Sequence, residues 1–229
     1  MERRSGSSAR PRTARNGQAS NWSAEPFVPE DHQLDVLAPA AEDCKGCPLY
    51  RDATHVVFGE GGKKASIVLV GEQPGDHEDR QGRPFVGPAG GVLDRALAAA
   101  GLTRDRVYVT NAVKHFKFEP RGKRRIHKKP RWSEIKACRP WLEAELDAIS
   151  PRVIVTLGAT AGQAVLGASF KLGEMRGREW PLRAKTVVVP TYHPSAVLRA
   201  EAHGGGEPVF ELIVQDLKLA RSLLQSRTG

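Results

Sequence analysis

Ser66-Ile67-Val68-Leu69-Val70 runs straight into Gly71-Glu72-Gln73-Pro74-Gly75-Asp76. The first half is apolar without alternation, which suits a short strand buried on both faces. Gly71 and Pro74 end it. The two glycines of the turn let backbone approach a ligand closely, and Glu72, Gln73 and Asp76 place polar groups at its mouth. Outward from this point the pattern repeats. Apolar runs at 107–110, 152–157 and 186–190 predict three more strands. Helices are expected over 91–100, 133–149 and 160–166, with a last amphipathic one over 208–226. The helix opening at Ser133 has Lys136 where a full capping box needs an acid. Strands alternating with helices predict an α/β fold of three layers, α/β/α, around a four-stranded, mainly parallel central sheet. Ligands of such sheets bind beyond the carboxyl ends of the strands. Glu72, Asn111 and His193 each follow a strand, so they are expected to face one crevice.

The 229 residues suffice for one sizeable domain plus tails. Residues 1–26 are dominated by Arg, Ser, Gly and Asn and are read as a disordered basic tail, leaving 27–229 as the domain. The tail has no apolar core of a secretory signal, although an Arg/Ser-rich, acid-poor start also resembles an organelle transit peptide. No apolar run is long enough to span a membrane. Three cysteines argue against a secreted disulfide framework and for a reducing compartment, so a cytoplasmic setting (bacterial cytosol or nucleoid) is expected; the chain is also expected to be a monomer. The net charge of +9 is concentrated: residues 114–131 hold nine Lys or Arg against the single acid Glu119. A field of that sign attracts a polyanion. The alternative is a solvated charged loop, here placed over 116–131.

Four further groups carry chemistry. Cys44-x2-Cys47 has metal-ligand spacing, with Cys138 far downstream and His115 the natural fourth candidate for a zinc or iron–sulfur site. The loop Gly82-Arg83-Pro84-Phe85-Val86-Gly87-Pro88-Ala89-Gly90-Gly91 precedes a helix and can cradle a phosphate. Phe85 offers a face for base stacking, or belongs to the core. Asn111 carries a donor and an acceptor for a base edge, or closes a turn. His193-Pro194-Ser195 offers a donor to a developing oxyanion and a hydroxyl for a phosphate. Each of these alone is weak.

Together and in this order, CxxC, GE-x-PG, GRPFVGPAG, TNAVK, ACRP and HPS resemble the uracil-DNA glycosylase superfamily, in particular its iron–sulfur branch, families 4 and 5. The resemblance covers about residues 40–225. It implies DNA repair by excision of uracil from DNA, with single strands preferred because extruding a base costs least there. It implies that Phe85 stacks on the extruded uracil, that Asn111 reads its Watson–Crick edge, with Gln73 beside it, and that His193 bonds O2 as charge builds there. The GEQPG turn brings the acids Glu72 and Asp76 near C1′. A 4Fe-4S cluster on Cys44, Cys47, His115 and Cys138 is implied as a structural group. Three departures mark the chain: Gln73 stands where the branch usually has Ala, His115 where it has Cys, and the segment before ACRP is enlarged into Arg121-Gly122-Lys123-Arg124-Arg125-Ile126-His127-Lys128-Lys129-Pro130-Arg131. All three are similar to the DNA-crosslinking UdgX type, whose KRRIH loop joins its histidine covalently to DNA. The resemblance thus implies that His127 replaces water as the nucleophile at C1′, giving a self-trapping glycosylase of one turnover. The surrounding Lys and Arg are expected to lower the His127 pKa, and Glu72 to orient the ring or accept its proton. Arg121, Lys123, Arg124, Arg125 and Lys128 are expected on DNA phosphates, with Ser195. Two alternatives are a hydrolytic glycosylase in which His127 only touches phosphate, and an iron–sulfur DNA-binding module without chemistry.

Overall fold

The structure, a computed structural model, describes residues 21–183 and 185–225. In chain order the elements are α1 (Leu34–Ala41), β1 (Glu60–Gly61), β2 (Ile67–Gly71), α2 (Asp76–Gln81), α3 (Pro88–Ala99) and β3 (Val107–Asn111). An antiparallel ribbon follows, β4 (Phe118–Arg121) and β5 (Arg124–His127), and then the long helix α4 (Trp132–Ile149). The chain continues through β6 (Val153–Leu157), α5 (Ala159–Leu166), α6 (Leu172–Met175), β7 (Trp180–Arg183), β8 (Thr186–Thr191), α7 (Ser195–Glu201) and α8 (Gly206–Gln225).

The four apolar runs become β3, β2, β6 and β8, all parallel. They are the centre of a six-stranded sheet, not a four-stranded one, because β1 and β7 pair antiparallel at its edges in the order β1-β3-β2-β6-β8-β7. Every residue of β2, β3 and β6 is buried, as expected where helices cover both faces. Side chains alternate between two cores. Val68, Val70, Tyr108, Ile154 and Val188 face α1, α4 and the cysteines. Ile67, Leu69, Val109, Val155 and Val189 face α3 and α8. This is the three-layer architecture.

Residues 1–20 of the expected tail lie outside the described residues. Its end is ordered: Ala24 is buried, its N–H donates to the Ala137 carbonyl on α4 at 2.7 Å, and Glu25–Phe27 forms one 3-10 turn. The expected basic loop is a ribbon, turned at Gly122 (φ +58°) in the two-residue connection Gly122-Lys123. The acid that caps α4 is Glu134, whose Oε2 accepts from the Arg131 N–H at 2.6 Å. No helix among the described residues is long and apolar enough to cross a membrane.

Candidate active site

At the carboxyl ends of β2, β3, β6 and β8 lies a cleft of about 650 Å³. Glu72, Asn111 and His193 all line it, together with Phe85 and, from the ribbon, His127. Glu72, Asn111 and His193 are delivered where β2, β3 and β8 end, Phe85 by the loop between α2 and α3, and His127 by the end of β5.

The floor is built by close approach. A side chain at Gly71 would collide with Asn111 Oδ1 and stand 2.6 Å from Phe85 Cζ, so only glycine lets the amide and the ring come together at this strand end. Phe85 is buried and sits at φ +54°, in the left-handed region that bulky residues avoid at a cost of order 1–3 kcal/mol. Gly90 makes room for it, since a Cβ there would meet the Phe85 carbonyl. Asn111 is 1% exposed, yet its Oδ1 has no hydrogen-bond partner among the described residues. A buried unpaired acceptor costs about 1–3 kcal/mol, so it marks a place for a ligand donor.

His193 stacks obliquely beside Phe85, ring centroids 5.9 Å apart. Its Nδ1 accepts from the Ser195 N–H (3.1 Å) and pairs with Ser195 Oγ (2.8 Å). Burial, then the nearby Arg199 and His127, push its pKa down to about 4. His193 is therefore neutral near pH 7, with Nδ1 as acceptor and Nε2–H left to donate into the cleft. Ser195 Oγ also accepts from Arg199 at 2.9 Å, so the hydroxyl assigned to phosphate is engaged in orienting His193.

The ribbon closes the cleft. His127 Nε2 stands 3.4 Å from Glu72 Oε1, while Glu72 Oε2 accepts from the Thr160 hydroxyl. His127 ends β5 with its side chain half-exposed; its pKa is lowered, chiefly by partial desolvation at the cleft and then by Arg199, with Glu72 opposing. The ribbon's Lys and Arg are not the cause: Arg121, Lys123 and Arg124 are exposed, and Arg125 is engaged with Asp76 and Asp79. Lys128 is exposed too and pairs with Glu119 at 2.6 Å.

Three expected roles change. Gln73 is buried, and its amide bonds the ribbon's two ends, Nε2 to the carbonyls of Lys117 (3.2 Å) and Lys128 (3.1 Å), Oε1 to the Lys117 N–H (3.2 Å). With its amide on those two residues it anchors the ribbon and has little left for a base. Arg125 is turned inward, paired with Asp76 and the fully buried Asp79, bonded to Thr54 Oγ1 at 3.0 Å and stacked over Phe116 and Phe118. It is an anchor, not a phosphate contact. Asp76 reaches the cleft wall, but its carboxylate is held by Arg125 and Arg80. Burial raises its pKa, yet those two partners outweigh it and keep the group ionised. Arg199 and Thr160 are cleft residues that the motifs did not flag. Arg199 was findable, lying one helical turn after Ser195 on the same face of α7.

Behind the floor, Cys44, Cys47 and Cys138 are buried in one cluster, near enough that their charges oppose one another's ionisation. Burial raises Cys47 to about 11 and Cys138 to about 12. Trp141 Nε1 donates to Cys44 Sγ (3.2 Å) and the Lys114 N–H to Cys138 Sγ (3.3 Å). His115, next in sequence, is buried and pushed down to about 4, so it is neutral as a metal ligand must be. Among the described residues no three His, Cys, Asp or Glu side chains converge tightly enough to hold a single metal ion. The Lys114 ammonium, 1% exposed, pairs with the buried Glu145 and donates to the Asn111 carbonyl at 2.9 Å. One residue thus ties the cysteine wall to the strand end that presents Asn111.

The family model of the uracil DNA glycosylase superfamily matches residues 58–218. The type-4 uracil-DNA glycosylase of Sulfurisphaera tokodaii is 42% identical over 173 residues, covering 72% of this chain and 76% of the relative. That of Thermotoga maritima is 36% identical over 193 residues, covering 84% and 95%. A type-5 uracil-DNA glycosylase of Thermus thermophilus is 32% identical over 184 residues, covering 72% and 80%.

Proposed function

This chain belongs to the uracil DNA glycosylase superfamily, and from that membership we propose that it excises uracil from DNA, preferring single strands, and then bonds itself to the abasic sugar through His127. The orphaned Asn111 Oδ1, which shares the space over Gly71 with the Phe85 ring edge, carries the first half. Uracil presents a ring N–H between two carbonyls, the complement of an acceptor flanked by donors. The Phe85 ring supplies a stacking face, and the His193 Nε2–H lies where charge gathers on O2 as the base leaves. The C1′–N1 bond breaks with its electron pair departing on uracil, which takes a proton from solvent.

The 3.4 Å approach of His127 to Glu72 carries the second half. An imidazole with a lowered pKa is neutral and keeps a lone pair. That pair forms the bond to C1′ of the cationic sugar. The ring's remaining N–H proton is then shed, with Glu72 the near carboxylate to accept it. No water adds, and the protein stays attached.

A 4Fe-4S cluster fits the chemistry of Cys44, Cys47, Cys138 and His115: buried thiols, two of them bonded by N–H donors, and a neutral imidazole. It would brace the 44–47 loop against α4 and supply no chemistry to the cleft. Purified protein should be brown, and a colourless preparation with stoichiometric zinc would overturn the cluster.

The test of the main reading is a denaturing gel with uracil-containing single-stranded DNA. A shifted band surviving heat and denaturant is expected from the native protein and absent from His127→Ala. Free uracil with many turnovers and no band would establish the hydrolytic alternative instead.

A further inference from the structure

Trp132 is 39% exposed at the first turn of α4, whereas Trp141 on the same helix is wholly buried. Large aromatic side chains are normally well covered. Among the described residues only Trp22 and Val36 are comparably exposed large hydrophobics. What sets Trp132 apart is its surroundings. It follows Lys128-Lys129-Pro130-Arg131, whose three cations are exposed. Lys129 itself lines the cleft. Three residues of extended chain span at most about 10 Å, so the Trp132 Cα lies within about that distance of the Cα of Lys129. The Lys128 pairing with Glu119 is half-exposed and gives way readily to a phosphate.

The position is rigid. Glu134, 4% exposed, accepts from the Arg131 N–H and from Lys117 Nζ (2.7 Å), fixing the start of α4 to the root of the ribbon that carries His127. An exposed indole on an anchored helix start, amid exposed cations of which Lys129 lines the cleft, has the composition of a site for single-stranded nucleic acid. Bases stack on the aromatic face, and cations track the backbone.

We propose that Trp132 is a stacking platform for a base flanking the extruded nucleotide, with Lys129 and Arg131 gripping the adjoining phosphates. This rests on the reading of the cleft as a uracil site and extends the DNA path beyond it.

The test uses the full chain and fluorescent single strands carrying one non-cleavable 2′-fluorinated deoxyuridine, with flanks lengthened one nucleotide at a time on either side. The native protein should gain affinity as one flank grows. Trp132→Ala should lose that gain, roughly five- to hundredfold, and Trp132→Phe should keep most of it. Trp132→Ala should leave the salt slope unchanged, while Lys129→Ala lowers it by ~0.7. Equal binding of every strand by Trp132→Ala and native protein overturns the proposal and leaves the exposed indole to a protein partner. An equal loss on flanked and unflanked strands also overturns it. Failure of the uracil reading is separable: native protein would release no uracil, while thymine strands in the same titration would still report on Trp132.

Discussion

At the residue scale, the neutral state of His193 has a thermodynamic signature. Its folded pKa is about 4 against 6.5 for the free side chain. Between those values the unfolded chain binds a proton that the folded protein rejects. Stability contributed at this site is therefore complete above pH 6.5 and falls as pH falls, by up to ~1.4 kcal/mol per pH unit. Melting temperatures measured from pH 7 to pH 5 should decline, and His193→Asn should make the profile shallower, the buried His115 keeping part of the slope. A slope unchanged by that substitution would show that the imidazole is not held neutral. The sequence placed His193, Asn111 and Glu72 after strands, and that was enough to bring them to one cleft. It did not reveal that Asn111 is left unpaired or that Phe85 takes a left-handed backbone, because both depend on the absence of a side chain at Gly71 and Gly90.

At the scale of the element, the β4–β5 ribbon is held by a few polar clasps at its base and not by either core. Arg125→Ala would leave Asp79, 0% exposed, without its cation. Breaking a buried pair by removing one partner costs about 3–5 kcal/mol. Here the expected result is a loosened ribbon: covalent adduct with uracil-containing DNA falls at least tenfold while uracil release persists. Retention of full adduct yield would remove Arg125 from the assignment. The ribbon was hard to see in the sequence because Phe118-Glu119-Pro120-Arg121 and Arg124-Arg125-Ile126-His127 show no regular alternation, and its charge suggested solvent. Gly122-Lys123 was the available signal, a two-residue turn with glycine first. The edge strands escaped for related reasons: β1 has two residues, and β7 contains Pro181, which lowers the case for a strand and suits an edge or a bulge. The central strands were legible because nothing except double burial explains an unbroken run such as Ile67–Val70.

At the scale of the whole molecule, the positive charge concentrated over 114–131 divides in two. Arg125 and Lys117 are spent on internal acids, while Arg121, Lys123 and Arg124 face solvent. Alanine at Lys123 or Arg124 should lower the slope of log affinity against log salt by ~0.7 each on single strands, with melting temperature unchanged. Salt titrations that move no more than the error would place the DNA on another face.

Gly71 has a consequence that reaches past the pocket floor. Its missing side chain puts a strand end, an amide and an aromatic ring in mutual contact, so the recognition surface has no slack of its own. A displacement of β3 at Asn111 is therefore expected to reach Phe85 as well. If the cleft selects uracil as proposed, its selectivity rests on the placement of the sheet: loss of the Lys114–Glu145 pair under β3 should blur the choice of base, read as release of cytosine or thymine beside uracil, before the melting transition is lost.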